Sequence, residues 1–392
     1  MFLVIYLDSL KMHARLRGKL ELKSRVNVET MRDLALAYTP GVAEPCRVIA
    51  KQPEKVFDLT NKWNSVAVVS DGSRVLGLGD IGPEAALPVM EGKAVLFKEF
   101  AGVDAFPICI KAETTEEIVA VVKAIAPSFG GINLEDIASP KCFEVEAKLS
   151  CELDLPVFHD DQHGTAVVAL AALLNALKLA RKNLATAKIV VNGVGAAGTA
   201  IIKLLVKSGA ENIIAVDKNG VLWTGKKGMP PHHQEIARLT NKKKVKGALG
   251  DVVRSADVFI GVSAPRVLTP SMVRLMNERA IVFALANPVP EIEPRLAKQA
   301  GAFIVATGRS DYENQVNNVL CFPGFFRGML DCRARRVNDE MKLAAAKAIA
   351  GVLTRKELSR RLILPKPFDK RVVPKVAKAV ARVARKTGVA RK

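Results

Sequence analysis

The stretch Lys188-Ile189-Val190-Val191-Asn192-Gly193-Val194-Gly195-Ala196-Ala197-Gly198 decides the fold. A β-branched run ends in the spacing G-x-G-x-x-G, and Ala200, Ile201, Leu204 and Leu205 come after it at helical intervals. Strand, tight turn and helix are therefore expected, with a second strand, Asn212 to Val216, ending at Asp217. In such a unit glycines let the backbone approach a pyrophosphate, the helix amino terminus favours its charge, and the acid accepts from ribose hydroxyls. Gly193, Gly195, Ala196, Ala197, Gly198 and Asp217 are the expected dinucleotide-binding residues. Asp217 would repel a 2′-phosphate, so NAD is expected over NADP, while the adjacent Lys218 leaves dual use open.

The same spacing recurs at Gly77, Gly79 and Gly82, but Pro83 comes next, and the nearest comparable acid, Asp104, begins a strand instead of ending one. That copy reads as a tight turn beside the active cleft.

Outward from the fingerprint, apolar runs alternate with helical stretches. Expected strands before it are Val66 to Ser70, Ala105 to Lys111, Gly131 to Glu135 and Pro156 to His159, with helices over Pro88 to Phe100 and about Thr115 to Ala126. An Ala/Leu-rich helix from Thr165 to about Arg181 has little polar surface and is expected to be buried between two domains. After it come strands over Lys188–Asn192, Ile213–Asp217, Asp257–Val262, Ile281–Ala286 and Phe303–Ala306. Lys226 to Lys246 reads as partly loop. The fold class expected is α/β in two domains: an amino-terminal α/β substrate and metal domain over 1–182, and a Rossmann-like, doubly wound dinucleotide domain over 183–336. A basic helical segment over 337–392 closes the chain, and Arg/Lys-rich helical stretches before Asn64 suit a subunit contact.

Two acidic clusters carry the second signal, Asn133-Leu134-Glu135-Asp136 and His159-Asp160-Asp161-Gln162-His163-Gly164. Glu135/Asp136 and Asp160/Asp161 are each expected to end a strand, and neighbouring strand ends would gather them. Gathered carboxylates are costly without a cation, and oxygen-only ligands suit Mg²⁺ or Mn²⁺. His159 and His163, four apart, raise a zinc alternative, although the glutamate of HExxH is absent. The ordinary alternative is that these acids cap helices or pair with lysines. Ser263, Asn287 and Asn317-Asn318 lie just past expected strands, where open α/β sheets bind ligands, although such residues often cap helices. Lys93 in a mostly apolar helix ordinarily snorkels to water, and Tyr38 ordinarily anchors a turn; residue chemistry alone assigns neither to catalysis.

Composition bounds the rest. The 392 residues are 49% hydrophobic, enough for two α/β cores. No apolar run is read as membrane-spanning, and the apolar start Met1 to Leu7, broken by Asp8, reads as an ordered end or start-site extension, not an export signal. Six scattered cysteines without a CxxC pair point to a reducing cytoplasm. Lys and Arg total 59 against 39 Asp and Glu, a net charge of +20. Much of the excess is at the end, in Lys375, Lys378, Arg382, Arg385, Lys386, Arg391 and Lys392. A closing helix packed on its Val/Ala face is preferred over a nucleic-acid arm, because aromatics for base stacking are few. Abundant Lys/Arg with scarce Gln points to a heat-adapted source.

Taken together, Tyr38-Thr39-Pro40-Gly41-Val42-Ala43, Ser70-Asp71-Gly72, Leu76 to Gly82, Gly92-Lys93-Ala94, Asn133 to Ala138, Phe158 to Thr165, Ala286-Asn287-Pro288 and Asn317-Asn318 resemble the malic enzymes, particularly the short prokaryotic form. The resemblance runs from about Tyr38 to Asp331. It implies oxidative decarboxylation of L-malate to pyruvate and CO2 with reduction of NAD or NADP, aided by Mg²⁺ or Mn²⁺. By motif, Lys93 would accept the C2 hydroxyl proton, Tyr38 would return a proton to the enolate carbon, and Glu135, Asp136 and Asp161 would hold the metal with Asp160 beside them. Arg74 would meet a substrate carboxylate, and Asn287 with Asn317 or Asn318 would line the malate and nicotinamide site, with Ser263 on the cofactor side. The amino-terminal helices suit a homodimer, with Tyr38 supplied across the interface. Alternatives within enzymology are a malolactic-type or oxaloacetate-decarboxylating enzyme and a metal-independent amino-acid dehydrogenase; outside it stands a basic nucleic-acid-binding protein.

Overall fold

The computed structural model describes residues 2–392. Helices α1 (Phe2–Leu16), α2 (Met31–Ala37), α3 (Ala43–Lys51) and α4 (Val56–Leu59) form the amino-terminal segment. Next comes a first α/β unit: β1 (Ser65–Ser70), α5 (Gly82–Ala101), β2 (Asp104–Cys109), α6 (Thr115–Ile125), β3 (Gly131–Leu134), α7 (Lys141–Glu152) and β4 (Val157–His159). Helix α8 (Asp160–Ala180) leads to a second unit of β5 (Ile189–Asn192), α9 (Ala196–Lys207), β6 (Ile213–Asp217), β7 (Gly220–Val221), α10 (Pro231–Leu239), α11 (Leu249–Val253) and β8 (Val258–Gly261). That unit ends with α12 (Pro270–Arg274), β9 (Ile281–Ala284), α13 (Pro294–Gln299) and β10 (Ile304–Thr307), and α14 (Phe322–Asp331), α15 (Asp339–Ala350) and α16 (Val372–Lys386) close the chain.

The first sheet runs β2-β1-β3-β4, all parallel. Strand β1, Ser-Val-Ala-Val-Val-Ser, is buried at every position, as a strand covered by helices on both faces requires. Helix α6 starts at a capping box: Thr114 Oγ1 accepts from the amide of Glu117, and Glu117 Oε2 accepts from the amide of Thr114. The second sheet runs β10-β9-β8-β5-β6-β7, parallel except for the short antiparallel β7. Its strand order reverses between β5 and β8, and that of the first sheet between β1 and β3. Ligands of open α/β sheets bind outside the carboxyl ends of strands at such reversals. Both reversals open onto one cleft: a Cβ on Gly77, after β1, would come within 2.8 Å of the Pro288 ring, after β9.

Helix α8 joins the two units. Its residues Val167, Leu170, Ala171 and Leu173 are almost wholly buried against the cores of both, and each fully buried Leu or Val contributes about 1.5–3 kcal/mol. By length and apolarity α8 could cross a bilayer, which corrects the expectation that no run is long enough; inside this fold its apolar window is 72% buried. Helix α16 packs Val372, Val376, Val380 and Ala384 into the core beside α14 and α15, and turns its lysines and arginines outward.

Two element boundaries differ from expectation. Helix α5 begins at Gly82 and runs through Pro88, because the chain turns helical directly after the glycine turn. Helix α8 begins at Asp160, so Asp160 and Asp161 occupy a first helical turn instead of ending β4. A first turn is where exposed amide groups and the helix dipole favour carboxylates. The stretch 226–246 is partly loop, as expected, and holds the short α10, with Pro231 at its first position.

Candidate active site

The chemistry gathers at the carboxyl ends of β3 and β4. Strand pairing sets Leu134 beside His159, so Glu135 and Asp136 leave one strand where Asp160 and Asp161 leave its neighbour. Glu135, Asp136 and Asp161 each place a carboxylate oxygen within 4.8 Å of the others. Asp136, with φ +54°, donates its amide to Asp161 Oδ2 at 2.8 Å, and the amide of Arg74 reaches the Asp136 carbonyl at 3.0 Å. Asn133 Nδ2 orients Glu135 through a 2.8 Å bond to Oε2.

Lys93 enters from α5. Its Nζ lies 2.8 Å from Glu135 Oε1 and 2.7 Å from Asp160 Oδ2, with the Phe322 ring 4.3 Å away. The ammonium is buried, contrary to the snorkelling expectation. Burial works to lower its pKa, but the Asp160 and Glu135 carboxylates outweigh burial and hold it above the usual lysine range. Asn318 Nδ2 also donates to Asp160 Oδ2. A Cβ on Gly164 would sit 1.9 Å from Asp160 Oδ1, so only glycine lets that carboxylate lie along α8.

Were all four carboxylates ionised, they would exceed the single ammonium by three negative charges, and the site resists that charge. Burial, then repulsion from Asp161 and Glu135, pushes the Asp136 carboxyl up to about 8. Burial together with Glu135 brings Asp160 to about 8 against the pull of Lys93, and Glu135 and Asp161 are raised mainly by burial. Asp136 Oδ2 is buried without a hydrogen-bond donor among the described residues. Carboxylate-only donors, an orphaned buried oxygen and excess negative charge fit a hard divalent cation such as Mg²⁺ or Mn²⁺. Asp161 keeps 36% of its side-chain surface open, leaving room for further ligands.

The histidines do not join this cluster. His163 Nε2 pairs with Glu146 Oε2 at 2.8 Å, and His159 is fully buried with its Nδ1 3.8 Å from Asp161 Oδ2. Glu146 accepts from the His159 amide at 2.9 Å and from Gln162 Nε2 at 3.3 Å, so a single carboxylate braces the start of α8. Burial opposes its charge, but His163, with His159 and Lys342 nearby, holds its carboxyl down to about 2. No motif in the sequence marks Glu146, since an acid within an amphipathic helix looks like an exposed one. It lines a separate groove of about 530 Å³ between α7, α8, α9 and α15.

On the second sheet, Gly193 lies just past β5, and Gly195, Ala196, Ala197 and Gly198 form the turn into α9. A Cβ on Gly198 would sit 1.9 Å from the Gly193 carbonyl oxygen, which is why the tight turn needs glycine there. Asp217 ends β6, with Oδ1 accepting from the Asn219 amide at 2.7 Å. Ser263 stands just past β8: its Oγ accepts from Asn192 Nδ2 at 2.7 Å, and its amide donates to Glu291 Oε1 at 2.8 Å. The other Glu291 oxygen accepts from the Ala286 amide at 3.0 Å, so this fully buried acid ties the ends of β8 and β9 below the cleft. Asn287 stands after β9 against Gly308. Asn317 spends its side-chain oxygen on the Val319 amide as a turn cap, whereas Asn318 faces Asp160. Tyr38 is 68% exposed on the amino-terminal segment, and within one chain no hydrogen bond of its hydroxyl reaches the cluster among the described residues.

Comparisons with known proteins agree with this geometry. The family model described as malic enzyme, NAD binding domain, matches residues 162–385, and the malic enzyme N-terminal domain matches 17–117 and 111–150. The chain is 60% identical over 375 residues to the NAD-dependent malic enzyme of Geobacillus stearothermophilus, covering 96% of this chain and 78% of that one. It is 57% identical over 385 residues to the bifunctional malic/malolactic enzyme of Bacillus subtilis, covering 98% and 94%. Among solved structures it is similar to the NAD-dependent malic enzyme of Thermotoga maritima, with a TM-score of 0.92 at 51% identity over 95% of this chain and 98% of that one.

Proposed function

The chain belongs to the malic enzyme family, and from that premise we propose that it converts L-malate to pyruvate and CO2 while reducing a nicotinamide dinucleotide. The observation that carries this reading is the buried Lys93 ammonium held between Glu135 and Asp160, beside the Glu135–Asp136–Asp161 oxygens. When bound, the dinucleotide takes up hydride and a divalent ion held by Glu135, Asp136 and Asp161 supplies Lewis acidity toward the substrate oxygens.

The chain's own residues do the rest. Lys93 Nζ, after releasing its own proton, accepts the proton of the malate C2 hydroxyl, and Asp160, anchored by Asn318, fixes where that nitrogen stands. Arg74, Asn287, Asn317 and Asn318 orient the substrate, and the Gly193–Gly198 turn with Asp217 and Ser263 orients the dinucleotide. Tyr38 donates a proton to the carbon that has lost CO2. Because Asp217 suits ribose hydroxyls, NAD is the preferred cofactor, and the NAD-dependent enzyme of Geobacillus stearothermophilus agrees.

We further infer a homodimer. Leu22, Met31, Leu36 and Tyr38 are all more than half exposed, and neither α2 nor α3 has a buried residue, which suits a segment covered by a second copy. In that arrangement Tyr38 reaches the partner's site. All six cysteines are free, in keeping with a reducing, cytoplasmic setting. A malolactic outcome is the second reading, favoured by the likeness to a bifunctional malic/malolactic enzyme. Assay of L-malate turnover with Mn²⁺, scoring pyruvate and lactate together, tests both: pyruvate matching reduced dinucleotide supports the first, and lactate without net reduction supports the second.

A further inference from the structure

Strands β5, β8 and β9 end level with one another: Asn192 pairs with Gly261, and Gly261 with Ala284. Past those ends the backbone amides have left the sheet and need other acceptors. One side chain supplies them. Glu291, in the loop that returns from β9 to α13, is fully buried. Its Oε1 accepts from the Ser263 amide at 2.8 Å and from Ser263 Oγ at 3.2 Å, and its Oε2 accepts from the Ala286 amide at 3.0 Å. Its carbonyl oxygen accepts from the Leu268 amide at 3.0 Å, so the loop after β8 is fixed as well. Asn192 Nδ2 extends the same chain of bonds to β5 through Ser263 Oγ, at 2.7 Å. The seat fits this carboxyl group closely: a Cβ on Gly261 would come 2.5 Å from Glu291 Cδ. Burial raises the pKa of the acid, and the Ser263 and Ala286 amides pull it back toward the ionised form.

We propose that Glu291 is a positioning residue for hydride transfer, fixing the spacing between Ser263 on the cofactor side and the Ala286-Asn287 turn on the substrate side. The inference rests on the activity proposed above. In that reaction the C2–H bond of malate breaks, its electron pair leaves with the hydrogen for the nicotinamide, and the hydroxyl proton goes to Lys93. Malate is held by Asn287 and the acidic cluster, and the dinucleotide by the Gly193–Gly198 turn and Ser263, so their separation is set where β8 and β9 end. Transfer needs reacting atoms about 3–3.5 Å apart, and a misplacement of about 1 Å can cost about 10²-fold in rate. Glu291 offers an acceptor to each strand end. A glutamine of the same size offers one acceptor and one donor, which sets an N–H against either the Ser263 or the Ala286 amide and drives the two ends apart.

The test uses the full-length protein with Mn²⁺ and compares wild type, Glu291→Gln and Gly261→Ala, whose added methyl would push the carboxyl group from its seat with Glu291 itself unchanged. The readouts are malate oxidation with its isotope effect from 2-deuterated malate, decarboxylation of added oxaloacetate (the keto acid that oxidation at C2 gives), and Mn²⁺ affinity by paramagnetic resonance. Both variants should lose about 10- to 100-fold in kcat for oxidation, with an isotope effect no smaller than that of wild type. Mn²⁺ affinity and oxaloacetate decarboxylation should stay within about threefold, because Lys93 and the acidic cluster belong to the first unit, away from the bonds of Glu291. Parallel loss of oxidation and decarboxylation, a smaller isotope effect, or undiminished oxidation in a folded variant overturns the proposal and leaves Glu291 a brace of the fold. Loss of the folded state in both variants does the same. A wild type that does not oxidise malate would instead overturn the activity reading beneath it.

Discussion

Lys93 Nζ lies 2.8 Å from Glu135 Oε1, with both side chains buried. The residue proposed as the base and a residue proposed as a metal ligand therefore share one electrostatic environment, and a change at either should be felt by the other. Lys93 keeps its proton while Glu135 and Asp160 face it uncompensated. Positive charge arriving at Glu135, Asp136 and Asp161 would weaken that hold, which links occupancy of the acidic cluster to the readiness of the base.

Replacing Lys93 with alanine is expected to lower kcat by about 10²–10⁴, the usual contribution of a positioned acid–base group, with NADH affinity close to wild type. Steady-state kinetics beside calorimetric titration with NADH checks this. A matching loss of nucleotide binding would assign Lys93 a role in folding instead.

Asp136→Asn and Asp161→Asn are each expected to weaken Mn²⁺ binding by at least about tenfold, and chelation of the wild type should abolish turnover until Mn²⁺ or Mg²⁺ is restored. Paramagnetic resonance of free Mn²⁺ reads the affinity. An Asp161→Asn protein with undiminished metal dependence and activity would remove Asp161 from the ligand set.

The acidic cluster also sets a pH dependence with a definite sign. Asp136 is pushed up to about 8 in the metal-free protein, chiefly by burial, whereas an unfolded aspartate titrates near about 3.9. A carboxyl whose folded pKa is raised favours the folded state fully only below its unfolded pKa, and that contribution is lost as pH rises through the folded value. The Tm of metal-free protein should therefore decline between about pH 4 and 8 relative to the metal-loaded form. Mn²⁺ binding should tighten over the same range and release protons. Calorimetry in buffers of different ionisation enthalpy would detect them, and a pH-independent metal affinity would contradict the assignment.

Glu146 gathers the His159 amide, Gln162 and His163 at the start of α8. Glu146→Ala would leave those donors unpaired, and a loss on the order of 3 kcal/mol in folding stability is expected. Denaturant titration measures it. A variant as stable as wild type would show that water replaces the carboxylate without cost.

If Tyr38 completes the partner's site, Tyr38→Phe and Lys93→Ala proteins, each nearly inactive alone, should complement when mixed and allowed to exchange. A heterodimer would then hold one intact site, and random exchange under twofold symmetry restores roughly a quarter of wild-type activity. No recovery despite demonstrated exchange would place Tyr38 and Lys93 of one chain in the same site.

Much of this architecture is legible in the sequence because period and spacing are local. Val66–Ser70 and Ile213–Asp217 read as strands from β-branched runs, and the fingerprint at Gly193 is told from the one at Gly77 by the residues downstream: a helix and then an acid-tipped strand for the first, Pro83 for the second. Gathering of Glu135, Asp136 and Asp161 comes from two neighbouring strand ends, although Asp160 and Asp161 prove to open a helix. The hidden part depends on long-range packing. Burial of Lys93 needs Phe322 and Asp160 from distant elements, Glu146 acts through residues thirteen to seventeen positions away, and His233 meets Asp217 only once α10 folds back. Periodicity reports which face of a helix is apolar, not which polar group on it meets a partner.

The most direct test is turnover of L-malate by the purified protein with NAD and with NADP, with and without Mn²⁺, scoring reduced dinucleotide, pyruvate and lactate together. Reduction should require the metal, pyruvate should appear in equal amount, and NAD should be used in preference to NADP. Reduction that persists after complete removal of divalent ions, or a folded, metal-loaded protein that forms no pyruvate from L-malate, would contradict the proposed chemistry.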